Sequence, residues 1–313
     1  GTMRATESLE KMYSIIKNAY YVGINHIETA PSYGDAESLI GNSIKKLAIE
    51  ENIKEKNWVI TSKVLPKGDF DFLKNNFKKS LKNLNREKIN NLAIHGLNLK
   101  QHLDWVLAGE GKKFISWILE KELVDQVGFS SHGSYSLIKD AINCEVFTFC
   151  SLHLHYLDQS KIALAEEAIK KGMGVLAISP ADKGGRLYSP SDILIEASKP
   201  FHPLELAYRF LLAKGITTLS LGATNKKDFE FAHKLRNSFE KLTKLEKNAL
   251  NKIEEVSNER LNSTKCEQCR SCLPCPNEVP IPEILRLRNI SIGYGQLEFS
   301  KERYNLIGKA GHW

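Results

Sequence analysis

A chain of 313 residues can bury a core of α/β-barrel size in one domain and still leave a remainder. Its composition, 42% hydrophobic and 26% charged, is that of an ordinary globular protein. The net charge of +7 comes from lysines spread along many segments, not from a dense basic tract. That distribution argues against nucleic acid as a partner and suits anionic small ligands such as phosphates. No apolar run approaches the ~20 residues of a membrane span, so no membrane partner is expected. No signal peptide is visible, because Gly1-Thr2-Met3-Arg4 is polar and leads into a helical pattern. Of six cysteines, four lie between positions 266 and 275. Disulfide frameworks spread their cysteines, so this cluster reads as metal chemistry in a reducing, cytoplasmic setting. Both ends read as cut: position 1 is not Met, and the chain stops on Gly311-His312-Trp313. A fragment is expected, lacking a first strand and a C-terminal tail.

Apolar residues at helical spacing (Leu9, Met12, Ile15, Ile16, Ala19) predict a helix over 8–21, ended by Gly23. Strand-like runs follow at 24–28, 58–63, 89–95, 124–130, 146–152, 174–179 and 217–221. Helices are expected between them at 35–47, 70–84, around 105–118, and at 134–142, 161–171 and 203–214. Another is expected at 226–235, after the last run, and 180–202 reads as a loop. Strand-helix alternation of this length argues for parallel strands joined by crossovers. No Gly-x-Gly-x-x-Gly follows the early strands, which argues against a Rossmann fold. The expected architecture is α/β, a (β/α)8 TIM barrel over 1–240 with its first strand ahead of Gly1. A small C-terminal cysteine-rich helical extension occupies 241–313.

Three successive strand runs end in ionisable groups. The first ends at Glu28, with Tyr33 in the loop beyond; the next two end at Lys63 and His95. In a parallel barrel those ends converge on one face, where such enzymes keep their chemistry. A free phenol, with a pKa of ~10, is a poor acid at neutral pH. An ammonium beside it makes it a better donor, a carboxylate can hold that ammonium, and an imidazole can orient a carbonyl. Such a set suits protonation of an oxygen that turns negative as hydride reaches carbon. Taken singly, a strand-end Lys or His is usually a solvated loop residue, and Tyr33 a packed turn residue.

The run Glu28-Thr29-Ala30-Pro31-Ser32-Tyr33-Gly34-Asp35-Ala36-Glu37 resembles the aldo-keto reductase signature. Thr61-Ser62-Lys63 and Ile94-His95-Gly96 resemble the same family's Lys and His segments. The resemblance covers roughly residues 1–235. It implies a (β/α)8 barrel, a catalytic tetrad of Glu28, Tyr33, Lys63 and His95, a nicotinamide cofactor and a small carbonyl substrate. The family's usual Asp is Glu here, so an extra methylene must be absorbed. Gly128-Phe129-Ser130-Ser131 resembles the strand that meets the nicotinamide, which implies cofactor roles for Ser130 and Ser131.

The loop Ser179-Pro180-Ala181-Asp182-Lys183-Gly184-Gly185-Arg186 can bring backbone and charge to a ligand. Leu221-Gly222-Ala223-Thr224-Asn225-Lys226-Lys227 joins a strand to a helix start, a common phosphate position in barrels. Both stretches resemble the family's nucleotide loops, which implies that Ser179, Lys183, Gly184, Gly222, Thr224, Asn225, Lys226 and Lys227 bind the cofactor. The two lysines could meet a 2′-phosphate, favouring NADPH over NADH, or be ordinary solvated lysines.

Cys266-x-x-Cys269-x-x-Cys272-x-x-Cys275-Pro276 resembles a ferredoxin-type [4Fe–4S] segment. Ferredoxin runs usually place three residues before the last Cys, so Cys275 either folds back onto the same cluster or gives way to a remote ligand. Zinc is the alternative metal. A cluster would allow a one-electron redox partner. Cys144 and Cys150 read as buried core residues. The expected function is NADPH-linked reduction of an aldehyde or ketone. A nucleotide-binding regulatory protein and an iron–sulfur electron carrier are the alternatives.

Overall fold

The computed structural model describes residues 1–182, 186–269 and 271–307. Seven parallel strands form one sheet in chain order: β1 (His26–Glu28), β2 (Val59–Val64), β3 (Ile89–Ile94), β4 (Val124–Ser131), β5 (Phe149–His153), β6 (Gly174–Ile178) and β7 (Thr218–Ser220). Helices α1 (Leu9–Tyr21), α2 (Ala36–Glu50), α3 (Phe70–Asn83), α4 (Lys100–Ala108), α5 (Glu110–Glu120), α6 (Tyr135–Asn143) and α7 (Ile162–Lys170) lie between or before these strands. They are followed by α8 (Asp192–Ser198), α9 (Pro203–Ala213) and α10 (Glu230–Leu235). The sheet curls into a nearly closed barrel. Across the seam between β7 and β1, Thr2 Oγ1 donates to Glu28 O at 3.2 Å and Arg4 Nη1 donates to Gly222 O at 2.9 Å.

Local chemistry accounts for the elements. Ser8 caps α1 by accepting from Lys11 N at 3.1 Å, and the helix buries Met12, Ile15 and Ile16. Asp69 caps α3, which buries Leu73, Phe77 and Leu81. Each such side chain contributes about 1.5–3 kcal/mol of burial. Period-2 alternation turns Leu92, Ile94, Phe129 and Leu152 outward into the core between sheet and helices. Inward positions are polar: His26 Nε2 lies 2.7 Å from Thr61 Oγ1, which also accepts from Asn91 Nδ2 at 3.0 Å. At Gly128 a side chain is impossible, since a Cβ would stand 2.4 Å from Phe149 O. Cys150 is fully buried and Cys144 partly so, as expected of core residues.

Several expectations need correction. The helix expected around 105–118 is two helices broken at Gly109, which serves as the C-cap of α4 and the N-cap of α5. The stretch 180–202 holds a short 3-10 turn, Arg186–Tyr188, and α8. The helix expected at 226–235 starts as a 3-10 turn, Lys226–Phe229.

Beyond the barrel, α11 (Lys244–Leu261) begins on a capping box in which Thr243 and Glu246 exchange hydrogen bonds. Arg209 Nε of α9 donates to Glu246 at 2.6 Å, and Tyr156 hydroxyl donates to Leu250 O at 2.5 Å. The boundary drawn at 240 therefore falls before a helix bonded to the barrel. After the cysteine run come α12 (Ile281–Gly293) and α13 (Leu297–Tyr304). No described helix is long and apolar enough to cross a membrane.

Candidate active site

The chain brings Glu28, Tyr33, Lys63 and His95 together at the C-terminal ends of β1 to β3. Lys63 is buried and uses all three ammonium hydrogens. It pairs with Glu28 and donates to Thr29 O and to the Tyr33 hydroxyl oxygen at 3.0 Å each. The hydrogen on the Tyr33 phenol has only a long 3.4 Å contact with Glu28 Oε1, so it is the one left to give to a ligand. His95 stands edge-on to Tyr33, with ring centroids 6.0 Å apart, and its Nδ1 is 3.4 Å from Ser32 Oγ.

The extra methylene of Glu28 is absorbed by a third strand. Oε1 reaches Lys63 on β2 while Oε2 accepts from Ser220 Oγ on β7 at 3.1 Å. Sequence reasoning missed Ser220; its signal was its place at the end of a strand.

Burial sets the protonation of the group. It pulls the Lys63 ammonium down to about 7, so contact with Glu28 helps to hold its proton. Burial pushes the Tyr33 phenol up to about 12. It lowers His95 to about 4, helped by charge on Lys63 and His132, so that imidazole is neutral at ordinary pH.

The residues expected at the cofactor divide into groups. Ser130 Oγ accepts from Gly96 N at 3.1 Å, and Ser131 Oγ donates to Leu97 O at 2.6 Å. Both hydroxyls thus brace the loop after β3. Ser179 has a left-handed φ of 57°. With Tyr33, Glu28 and Gly222 it lines a cavity of about 150 Å³. Lys183 and Gly184 lie outside the described residues.

After β7 the turn is capped internally. Asp228 Oδ2 accepts from Thr224 N, Thr224 Oγ1 and Asn225 N at 2.6, 3.0 and 3.2 Å. Asn225 Oδ1 accepts from Lys227 N at 2.9 Å. These N–H groups are not open to a phosphate as they stand, whereas Lys226 and Lys227 are exposed. Ser151 Oγ, buried on β5 in register with Ser130, has no hydrogen-bond partner among the described residues.

The four cysteines are not gathered: no group of three or more His, Cys, Asp or Glu able to hold a metal occurs among the described residues. Cys266 is fixed through its backbone, exchanging hydrogen bonds with Asn289 at 3.2 and 2.7 Å. Cys269 and Cys272 are exposed. Gln268 donates to Pro282 O at 3.0 Å, tying the run to α12. The run also covers one side of the barrel mouth. Gln268 and Leu273 line a cavity of about 350 Å³ whose other wall includes His132 and His153.

A nearly closed parallel barrel with a strand-end carboxylate, lysine, imidazole and phenol defines a narrow class of proteins. The chain belongs to the aldo/keto reductase family, whose model matches residues 1–265. It is 25% identical over 202 residues to an aldo-keto reductase of Strobilurus tenacellus, covering 61% of this chain and 57% of that protein. It is 29% identical over 180 residues to an aldose reductase of Encephalitozoon cuniculi, covering 52% and 58%. The matches thus span under two thirds of each relative's length. Among solved structures, an aldo-keto reductase from Bacillus halodurans in its holo form superposes with a TM-score of 0.67 at 19% identity, over 80% of this chain and 90% of that one. A Bombyx mori aldo-keto reductase in complex with NADP gives 0.61 at 19% identity, over 79% and 83%. At these identities the structures bear on the fold alone.

Proposed function

We propose that the protein reduces an aldehyde or ketone with NADPH, with Tyr33 as proton donor. The observation that carries the reading is the Lys63 ammonium, which spends its hydrogens on Glu28, Thr29 O and the Tyr33 oxygen. When bound, the nicotinamide supplies hydride to the carbonyl carbon. Tyr33 gives its proton to the carbonyl oxygen as that oxygen turns negative, and Lys63 stabilises the phenolate left behind. Glu28 holds Lys63 in place, with Ser220 fixing its second oxygen. His95, neutral, donates a hydrogen bond that orients the carbonyl.

The residues present fit such a cofactor in three respects. The cavity beside Tyr33 is walled by Ser179 and Gly222. The unpartnered Ser151 hydroxyl suits a carboxamide. The exposed Lys226 and Lys227 side chains suit a 2′-phosphate. For the cysteine run, four thiols at two-residue gaps have the chemistry of a [4Fe–4S] ligand set. Their described positions do not assemble one, and hydride transfer, which moves two electrons together, calls for none; a one-electron partner would meet the tail. The ferredoxin-like extension and the cytoplasmic setting belong to the same reading.

Tyr33→Phe tests it directly. Carbonyl reduction should fall by about 10²–10⁴-fold, while NADPH binding, followed by fluorescence, should be nearly unchanged. Activity within a few-fold of wild type would remove Tyr33 from the role.

A further inference from the structure

Glu37 closes the run that also holds Glu28 and Tyr33, and the reduction as derived gives it no part. It is the second residue of α2 and is only 2% exposed. Its Oε1 accepts from Ser62 Oγ at 2.7 Å, and Ser62, fully buried, stands between Thr61 and Lys63 on β2. Its Oε2 has only a long 3.5 Å contact from Asn83 Nδ2, at the end of α3. Both donors are neutral. A buried carboxylate answered in this way is costly, and an apolar pair of the same shape would fill the space at less cost. What the pair adds is direction, because apolar packing tolerates a slide along the strand and a short hydrogen bond does not.

The backbone couples this carboxylate to Tyr33. Tyr33 N donates to Ala30 O at 3.0 Å and Ala36 N donates to Tyr33 O at 3.3 Å, so the turn that carries the phenol runs straight into the start of α2. One helical turn beyond Glu37, at Gly41, α2 presses so close to α3 that a Cβ would stand 2.5 Å from Asn83 O. Residues four apart share a helix face, so Glu37 lies on the face of that contact.

We infer that Glu37 is a positioning residue for proton transfer: through Ser62 it fixes α2 against β2, and so sets the 3.0 Å separation of the Tyr33 oxygen from Lys63 Nζ. This rests on the reductase reading. The two groups arrive on different elements, and the phenol's other contact, 3.4 Å to Glu28, is too long to correct a shift of α2. If α2 slides, the ammonium no longer steadies the phenolate as it forms. Glu37 also borders a cavity of about 470 Å³ together with Lys63 and His95, so a direct effect of its charge is the rival account.

The test uses the full chain with NADPH, and benzaldehyde and propanal as carbonyl probes. Glu37→Ala and Ser62→Ala should each lower kcat about tenfold, the scale of a small misplacement at a reacting group. The NADPH dissociation constant should hold, and the solvent deuterium isotope effect on kcat should grow, because proton transfer becomes the slow part. Glu37→Gln, whose amide oxygen still accepts from Ser62, should recover most of the rate. In a Tyr33→Phe background, Glu37→Ala should cost nothing further, since it acts through Tyr33. Full kcat in both alanine variants would overturn the inference. So would a loss that persists in the Tyr33→Phe background or leaves the isotope effect unchanged, for that marks general damage. A loss in Glu37→Gln equal to that in Glu37→Ala would assign the effect to charge and overturn it as well. Should Glu37→Ala fail to fold, Ser62→Ala, which deletes one atom, decides the matter in both backgrounds. A wild-type protein inert toward both probes, or a Tyr33→Phe variant as active as wild type, would instead overturn the reductase reading, and this inference with it.

Discussion

Arg286 Nη1 of α12 lies 3.6 Å from Asp182 Oδ1, in the loop that leaves β6, and both side chains are buried. The helix after the cysteine run is therefore tied to the loop that also carries Ser179. Arg286 is held from its own helix by Glu283 at 3.1 Å, and Asp182 has His155 Nδ1 at 3.4 Å.

Removing one partner of a buried pair leaves the other charge uncompensated, at a cost of roughly 3–5 kcal/mol. Arg286→Leu should lower the melting temperature and open the segment 281–304 to limited proteolysis. Adding Asp182→Leu should recover part of the loss, because the stranded carboxylate is gone. If the single variant melts with wild type, the pair does not anchor the tail.

The pH dependence of reduction follows from three groups. His95 is neutral above about 4, Lys63 gives up its proton near about 7, and Tyr33 keeps its own to about 12. The kcat/KM for carbonyl reduction should be level between those first two values and decline above the second. A profile with no decline there would detach Lys63 from the proton-donating unit. Stability has its own sign, set by proton counts. Burial lowers His26 from 6.5 to about 4, and His95 falls likewise. Between those values the unfolded chain binds protons that the folded chain refuses, so acid should unfold the protein progressively in that window. His26→Gln should flatten the melting-temperature curve across it.

The strands and the tetrad were legible because their signals are local. A short apolar run ending in Glu28, Lys63 or His95 announces both strand and site. Ser220 was not legible as a partner of Glu28, because 192 residues separate them and only barrel curvature joins them. Gly109 looked tolerable inside one helical pattern, yet its extended φ of −97° and ψ of −156° break it. That Ser130 and Ser131 also brace the loop after β3, one accepting from Gly96 N and the other donating to Leu97 O, was not legible from spacing. The face of the barrel on which the cysteine run settles could not be read from spacing at all. It depends on Arg286 finding Asp182 across 104 positions.

Lys226→Ala with Lys227→Ala should weaken NADPH more than NADH, since only NADPH carries the 2′-phosphate. Dissociation constants measured by fluorescence titration at two salt concentrations would check this, and the NADPH loss should shrink at high salt. Equal losses for both nucleotides would place these lysines outside the phosphate site.

Protein purified without oxygen should carry iron and absorb in the visible if the cysteine run binds a [4Fe–4S] cluster. Replacing Cys266, Cys269 and Cys272 by Ser should abolish that absorbance and leave NADPH affinity intact, because no cysteine of the run lines the cavity beside Tyr33. Stoichiometric zinc without iron would overturn the cluster and leave a structural metal.

The turn after β7 arrives with its anion already in place. Asp228 fills the cradle of N–H groups at Thr224 and Asn225 that a nucleotide phosphate would seek. On the reductase reading, binding at that turn would exchange one anion for another and not fill a vacancy. The displaced carboxylate must find water or one of the neighbouring lysines, and its pull back toward the cradle works against the bound nucleotide. A phosphate there would be held less tightly than in an open cradle, because the protein carries the competitor for its own pocket.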